Sequence, residues 1–273
     1  MFSYRIAEKK IYASSSNITD NTSCIDKLFS FGIAGVVTKT ISSFSDGVGI
    51  GKIWWNKNVL YNSTIFSSKG LNTWIEVLSN YNKKNKIVIP SVYSSDRKEL
   101  ADMMKVLQQI QMPAIEMGIS CPNESMKKKL EIIKDISYAI QGIYIPVYIK
   151  LCSQGMDIKM MKEYCEMGIT GFVISDSFPG FMDEAKKQRI GISGEKIRPY
   201  VLESIELARE KGITAEIVGT GGIFTGEHIE QYRKAGADAV GLCSCMYING
   251  INSVKSLLNY ERNEKWQDDK KIM

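Results

Sequence analysis

Histidine is almost missing from this chain: His228 is the only one in 273 residues. The six cysteines are dispersed and form no CxxC pair, so neither a zinc site nor a disulfide framework is suggested. A reducing compartment fits that usage, and a cytoplasmic location is expected. Long apolar runs are also missing. No stretch approaches the roughly 18 uninterrupted apolar residues of a membrane span, and Met1-Phe2-Ser3-Tyr4-Arg5 leads into charged residues without an apolar signal core. A soluble protein with no membrane partner is expected. Positive charge exceeds negative only by 35 − 30 = 5, and the excess is scattered over solvated faces such as Lys127-Lys128-Lys129. Nothing in it forms a nucleic-acid stripe.

At 44% hydrophobic content the chain can bury a large core, and its length is usual for one α/β barrel. Strand-like and helix-like runs alternate throughout, which predicts βαβ units and a parallel sheet. The expected strands are 11–14, 35–40, 86–93, 114–120, 144–151, 171–177, 215–218 and 239–242. Helices follow each of them, among them Ile25 to Phe31 closed by Gly32, and one capped by Asp96 with Glu99 in capping-box position. The reading is a single (β/α)8 barrel over residues 1–273, with 41–70 and 178–193 as loops over its mouth. Segment 41–70 has no helical period but carries Trp54, Trp55, Tyr61 and Phe66, which suits a functional loop or hairpin.

Several strand ends carry residues that an apolar run does not need. Lys39 and Lys150 each sit at the carboxyl end of such a run, where burial is costly without an anionic or polar partner; a snorkelling rim lysine is the alternative for Lys39. Gly219-Thr220-Gly221-Gly222-Ile223 follows strand seven and Cys243-Ser244-Cys245 follows strand eight, the places where barrels commonly bind phosphate. Cys243 and Cys245 also suit small packing positions. Strand four runs into Cys121-Pro122-Asn123, and Pro122 ends it, so the thiol falls on the loop past the strand's carboxyl end. An inert buried cysteine is the bland alternative, as a turn is for Asn62 and a helix cap for Asn123.

The stretch Glu116 to Asn123 resembles the active-site segment of the soluble (class 1) dihydroorotate dehydrogenases, Leu-Asn-Leu-Ser-Cys-Pro-Asn, whose cysteine is the catalytic base. Thr38-Lys39-Thr40, the glycine loop at 219–223 and the turn Ser193-Gly194 resemble the same family, over roughly residues 11 to 250. The resemblance implies an FMN-dependent oxidoreductase acting on CH–CH groups. It makes Cys121 and Lys39 catalytic, and it assigns the cofactor to Ser14, Ser15, Lys39, Thr40, Ser91, Lys150, Ser175, Gly194, Gly221, Gly222, Cys243 and Ser244. Substrate falls to Asn62, Ser63, Gly118, Asn123, Asp176 and Ser177. No metal is implied. Gly118 and Asp176 stand where the family has asparagines, so the pocket is expected to be larger and more negative, and the substrate to be a small cyclic or unsaturated compound other than dihydroorotate. Authentic dihydroorotate oxidation in pyrimidine biosynthesis is the first alternative. A flavin-free barrel isomerase or aldolase, or a non-catalytic paralogue, is the alternative of another class. A homodimer is expected, with an electron acceptor that the sequence does not identify.

Overall fold

The computed structural model describes residues 1–47, 51–119, 129–181 and 189–263. Along the chain, β1 (Ile11–Ala13) leads through a short 3-10 turn to α1 (Thr22–Phe31), then β2 (Gly35–Val37) and the hairpin β3 (Ile53–Asn56) and β4 (Val59–Asn62). There follow α2 (Leu71–Lys83), β5 (Val88–Ile89), β6 (Ser91–Val92), α3 (Arg97–Gln109), β7 (Ile115–Gly118) and α4 (Lys129–Ala139). The second half runs β8 (Val147–Leu151), α5 (Ile158–Glu166), β9 (Gly171–Ile174), β10 (Phe178–Phe181), β11 (Arg189–Gly194) and α6 (Arg198–Glu210). It closes with β12 (Glu216–Thr220), α7 (Gly226–Ala235), β13 (Ala239–Leu242), the short α8 (Ser244–Ile248) and α9 (Val254–Asn263).

Nine strands pair in parallel in the order β5-β2-β1-β13-β12-β9-β8-β7-β6. The two ends of that row, β5 and β6, are consecutive in sequence and separated only by Pro90, so the row is a ring of eight positions, a (β/α)8 barrel. The third strand, expected as one run over 86–93, is therefore two short pieces. Pro90 has no N–H to give to a ladder; its carbonyl still accepts from Glu116 N at 2.9 Å.

Alternation along the strands divides the barrel interior by height. Tyr12, Val37, Ile89, Ala114, Tyr148, Val173, Val218 and Ala239 form an apolar layer inside the lower half. Phe2 and Tyr4 pack against it, Tyr4 meeting Tyr12 edge-on at 4.6 Å and Tyr148 at 4.8 Å between ring centroids. Two residues further along the same strands the side chains are Ser14, Lys39, Ser91, Glu116, Lys150, Ser175, Thr220 and Gly241, so the upper half is polar. The larger apolar core lies outside the ring, between strands and helices, with Trp74, Leu28, Phe172 and Ile205 fully buried in it.

The segments expected as loops over the mouth contain a second sheet. β3 and β4 form an antiparallel hairpin, β11 pairs with β4, and β10 pairs with β11, giving the order β10-β11-β4-β3. Its inward face carries Ile53, Leu60, Asn62 and Ser193, which line the cleft beneath it. On its other face Trp54, Tyr61, Ile192 and Phe178 stand in one row across all four strands, Trp54 stacked on Tyr61 at 5.7 Å. Caps agree with the sequence in most places. Asp96 accepts from Lys98 N and Glu99 N, whereas Glu99 takes the Ser94 hydroxyl at 2.7 Å and leaves the Asp96 amide to Ser94 at 3.1 Å, a relay in place of a direct capping box.

Candidate active site

Between the strand ends and the second sheet lies a solvent-open cleft. It is lined by Ser15, Lys39, Thr40, Asn62, Gly118, Lys150, Asp176, Ser177 and Cys243, nine of the residues expected there, together with Asn17, Thr64, Tyr93, Ser193 and Tyr247.

Lys150 is the most constrained of these. Its side chain is 9% exposed, and its Nζ lies 3.7 Å from Glu116 Oε1, itself 2% exposed, one strand away on β7. Burial acts to lower the ammonium's pKa, but Glu116 and then Asp176 outweigh it, and the group is held above the ordinary lysine range. Glu116 Oε1 has no hydrogen-bond partner among the described residues, so the contact is an ion pair of Coulombic character. Glu116 was not singled out in the sequence, yet a carboxylate inside the apolar run Ala114 to Ser120 is a signal in itself, since burying it is costly without a partner.

A belt of hydroxyls circles the strand ends. Ser15 and Thr40 meet at 3.4 Å, Thr40 and Ser91 at 3.0 Å, and Ser14 and Thr220 at 3.1 Å. Ser91 is fully buried and backs Thr40. The Ser175 hydroxyl accepts from Ser153 N at 2.9 Å and donates to Asp176 O at 2.6 Å, so it braces the end of β9. Lys39 Nζ donates to Thr64 Oγ1 at 3.2 Å. Asn62 Nδ2 reaches Ser177 Oγ at 3.3 Å, whereas the Ser63 hydroxyl accepts from Lys52 N at 2.9 Å within the hairpin region. Asp176 Oδ1 accepts from Ser177 N at 2.7 Å. A Cβ built on Gly118 would lie 3.8 Å from its nearest neighbours, Tyr93 Cβ and Val92 O, so a larger side chain has room there. Cys121 and Asn123 lie outside the described residues.

Burial disfavours the thiolate at Cys243 and Cys152. Burial pushes Cys243 up, against a lowering influence of Lys150 and Lys39, and pushes Cys152 up to about 11. Among the described residues no three His, Cys, Asp or Glu side chains group to hold a metal, and no helix is long and apolar enough to cross a membrane.

Flanking the cleft, the glycine loop after β12 packs on the turn after β11. Gly222 has φ 66°, and a Cβ on it would lie 2.7 Å from Gly194 O, so only glycine fits. Gly221 O accepts from Tyr232 Oη at 2.6 Å, and Gly222 O accepts from Arg198 Nη1 at 2.9 Å. Arg198 Nη1 also donates to His228 Nδ1 at 2.9 Å, as does Phe224 N at 3.1 Å. A guanidinium only donates, so Nδ1 carries no proton and the imidazole is the Nε2–H tautomer. Burial first, then the Arg198 charge, lowers the His228 pKa. Ser244 is buried, its hydroxyl 3.4 Å from that of Ser193. Arg198, Tyr232 and His228 were not anticipated. They lie on helices, and strand periodicity says nothing about which helix faces a loop.

A sequence profile of the dihydroorotate dehydrogenase family matches residues 10–260. The chain is 24% identical over 279 aligned positions to the catalytic subunit of a dihydroorotate dehydrogenase B (NAD(+)) from Thermoplasma acidophilum, covering 97% of this chain and 92% of the relative. It is 28% identical over 205 positions to the corresponding subunit from Petrotoga mobilis, covering 70% and 68%. A dihydroorotate dehydrogenase A (fumarate) from Limosilactobacillus reuteri is 27% identical over 209 positions, covering 68% and 65%. With a profile match that takes in all thirteen strands and a polar cleft at the carboxyl ends of a (β/α)8 barrel, this chain belongs to the dihydroorotate dehydrogenase family.

Proposed function

We propose that the protein is an FMN-dependent oxidoreductase that moves hydride between a CH–CH bond of a small cyclic substrate and the flavin. The observation that carries the reading is the meeting of Lys39 and Lys150, from opposite parts of the ring, with the hydroxyl belt in one cleft. Those groups fit a flavin: Lys150, kept cationic by Glu116, suits the electron-rich pyrimidine edge of the ring, and the hydroxyls suit its carbonyl oxygens. Gly221, Gly222 and Ser244 would take the phosphate. When bound, FMN supplies the hydride acceptor. Lys39, steadied by Thr64, would orient substrate on the side of Asn62 and Ser177, and the second sheet would limit water above it. Cys121, three positions past the end of β7 in the chain, would take the proton from the carbon next to that losing hydride. A perturbed thiol near neutrality suits that task better than serine.

Relatives named as catalytic subunits of NAD(+)-linked enzymes favour an electron-transfer partner chain, and a dimer of this chain is consistent with that assembly. The test of the main reading is heat release of cofactor from protein prepared with flavin present, followed by chromatography and anaerobic reduction by dihydroorotate. Absence of FMN overturns it.

A second reading concerns the substrate. Asp176 contributes a carboxylate to the cleft and Gly118 leaves space, which favours an uncharged, N–H-rich ring such as a dihydropyrimidine lacking a carboxylate. Comparing flavin reduction by dihydroorotate and by an uncharged dihydropyrimidine decides between the two.

A further inference from the structure

Each of the two carbonyls of the glycine loop is held by a side chain from a helix. Gly221 O is fixed by Tyr232 on α7, and Gly222 O by Arg198 on α6. Both peptides are trans, the cis bond of the described chain being at Ile174–Ser175. In a trans peptide the C=O and the following N–H point in opposite directions. The N–H groups of Gly222 and Ile223 are therefore each turned away from the donor that holds their own peptide's carbonyl, and no acceptor for either is found among the described residues. Two successive backbone amides without an internal acceptor are suited to an anion.

Arg198 is itself held. One N–H of Nη1 goes to Gly222 O and the other to His228 Nδ1, while Glu195 Oε1 lies at 3.4 Å. Glu195 also accepts from Asn58 Nδ2 at 2.6 Å, at the tip of the β3–β4 hairpin. The side chain is 15% exposed, and its Nη1 is occupied in bracing the loop.

We propose that Arg198 and Tyr232 are positioning residues for the cofactor phosphate: they set the directions of the Gly222 and Ile223 amides toward it by each holding the carbonyl of the same peptide. The inference rests on the FMN reading above and adds to it two residues that need not touch the cofactor. It distinguishes a loop that is merely glycine-rich from one whose amide directions are set by helices α6 and α7.

The test uses the full-length protein stripped of flavin, titrated with FMN and with riboflavin and followed by quenching of flavin fluorescence. Riboflavin has the same ring but no phosphate. Arg198→Gln and Tyr232→Phe should each weaken FMN on the order of tenfold, the worth of one hydrogen bond to or from a charged group, and leave riboflavin within about twofold. Arg198→Lys, which keeps a donor for Gly222 O, should recover much of the FMN affinity. Wild-type protein that binds neither flavin overturns the FMN reading itself. Wild-type protein that binds both flavins equally overturns the positioning role, as does an equal loss of both flavins in the variants or no loss in either. Because Tyr232→Phe removes a single hydroxyl and acts on a different carbonyl, it carries the test if Arg198→Gln fails to fold.

Discussion

Replacing Glu116 by glutamine should expose how much the barrel depends on the buried carboxylate–ammonium contact between β7 and β8. The charges are 3.7 Å apart and nearly solvent-free. At an effective dielectric of about 20 the Coulomb attraction at that distance is roughly 4 kcal/mol. Breaking a buried pair from one side costs about 3–5 kcal/mol, because the surviving charge keeps its desolvation penalty. Asp176 also stabilises the Lys150 ammonium, so a loss near about 3 kcal/mol is expected for Glu116→Gln in urea unfolding without added flavin. Lys150→Met should cost a similar amount, and the double variant much less than the sum, giving a coupling energy of about 2 kcal/mol or more. The sign with pH follows from the raised Lys150 pKa. A raised lysine contributes fully below its unfolded value, about 10.4, and loses that contribution only as pH climbs through the folded value. The penalty of Glu116→Gln should therefore stay flat from about pH 6 to about pH 9. A coupling energy under about 0.5 kcal/mol would refute the assignment of the pair as a mutually dependent unit.

Asp238 gives a second stability test: it accepts from Arg5 Nε at 2.9 Å, Arg209 Nη2 at 2.7 Å and Ile217 N at 2.9 Å, and Asp238→Ala should cost about 3 kcal/mol by urea midpoint. Burial raises its pKa but those three partners lower it further, so its contribution is present above about pH 4 and should disappear as pH falls through the lower folded value, a loss that Asp238→Ala should not show. Cys121→Ser should slow substrate-driven flavin reduction about 100-fold or more with FMN affinity unchanged; equal single-turnover rates would remove Cys121 as the base. If Asp176 and Gly118 set substrate choice, the double change Gly118→Asn with Asp176→Asn should raise dihydroorotate-driven reduction by about tenfold or more in stopped flow, and fast wild-type reduction at micromolar substrate would sink that reading.

The barrel was legible because its strands are apolar runs with sharp ends, and because Lys39 and Lys150 are conspicuous where such runs stop. The cleft then brings those two together with Thr40, Asn62 and Asp176, residues far apart in the chain. Of the second sheet, the β3–β4 hairpin was within the loop-or-hairpin reading of 41–70, but β10 and β11 were not legible as strands. β10 contains Pro179 and Gly180, both poor strand residues, and its pairing with β11 depends on a neighbour, β4, that comes from a different loop. Tertiary pairing overrode local preference there. Glu116 escaped attention because its partner is one strand over, a relation carried by register and invisible to spacing along a single strand. The tie between Arg198 and Gly222 O was hidden for the same kind of reason: helix periodicity identifies the buried stripe Val201, Ile205 and Ala208, but not the first-turn residue that reaches a loop.

The ring of strands also has a consequence for biosynthesis. β1 is bonded on one side to β13, Ile11 lying opposite Val240, and Arg5 is tied to Asp238 and the Tyr4 amide to Glu216. β1 can therefore pair with β2 early, but its other neighbour, β13, is made more than 220 residues later. Until then β1 and β12 each present an open edge, the condition that invites pairing with another chain. Residues 1 to 10 behave in this sense as a floor laid early and locked late: apolar rings and an arginine held in waiting for the last two strands, which tie them across the base of the barrel.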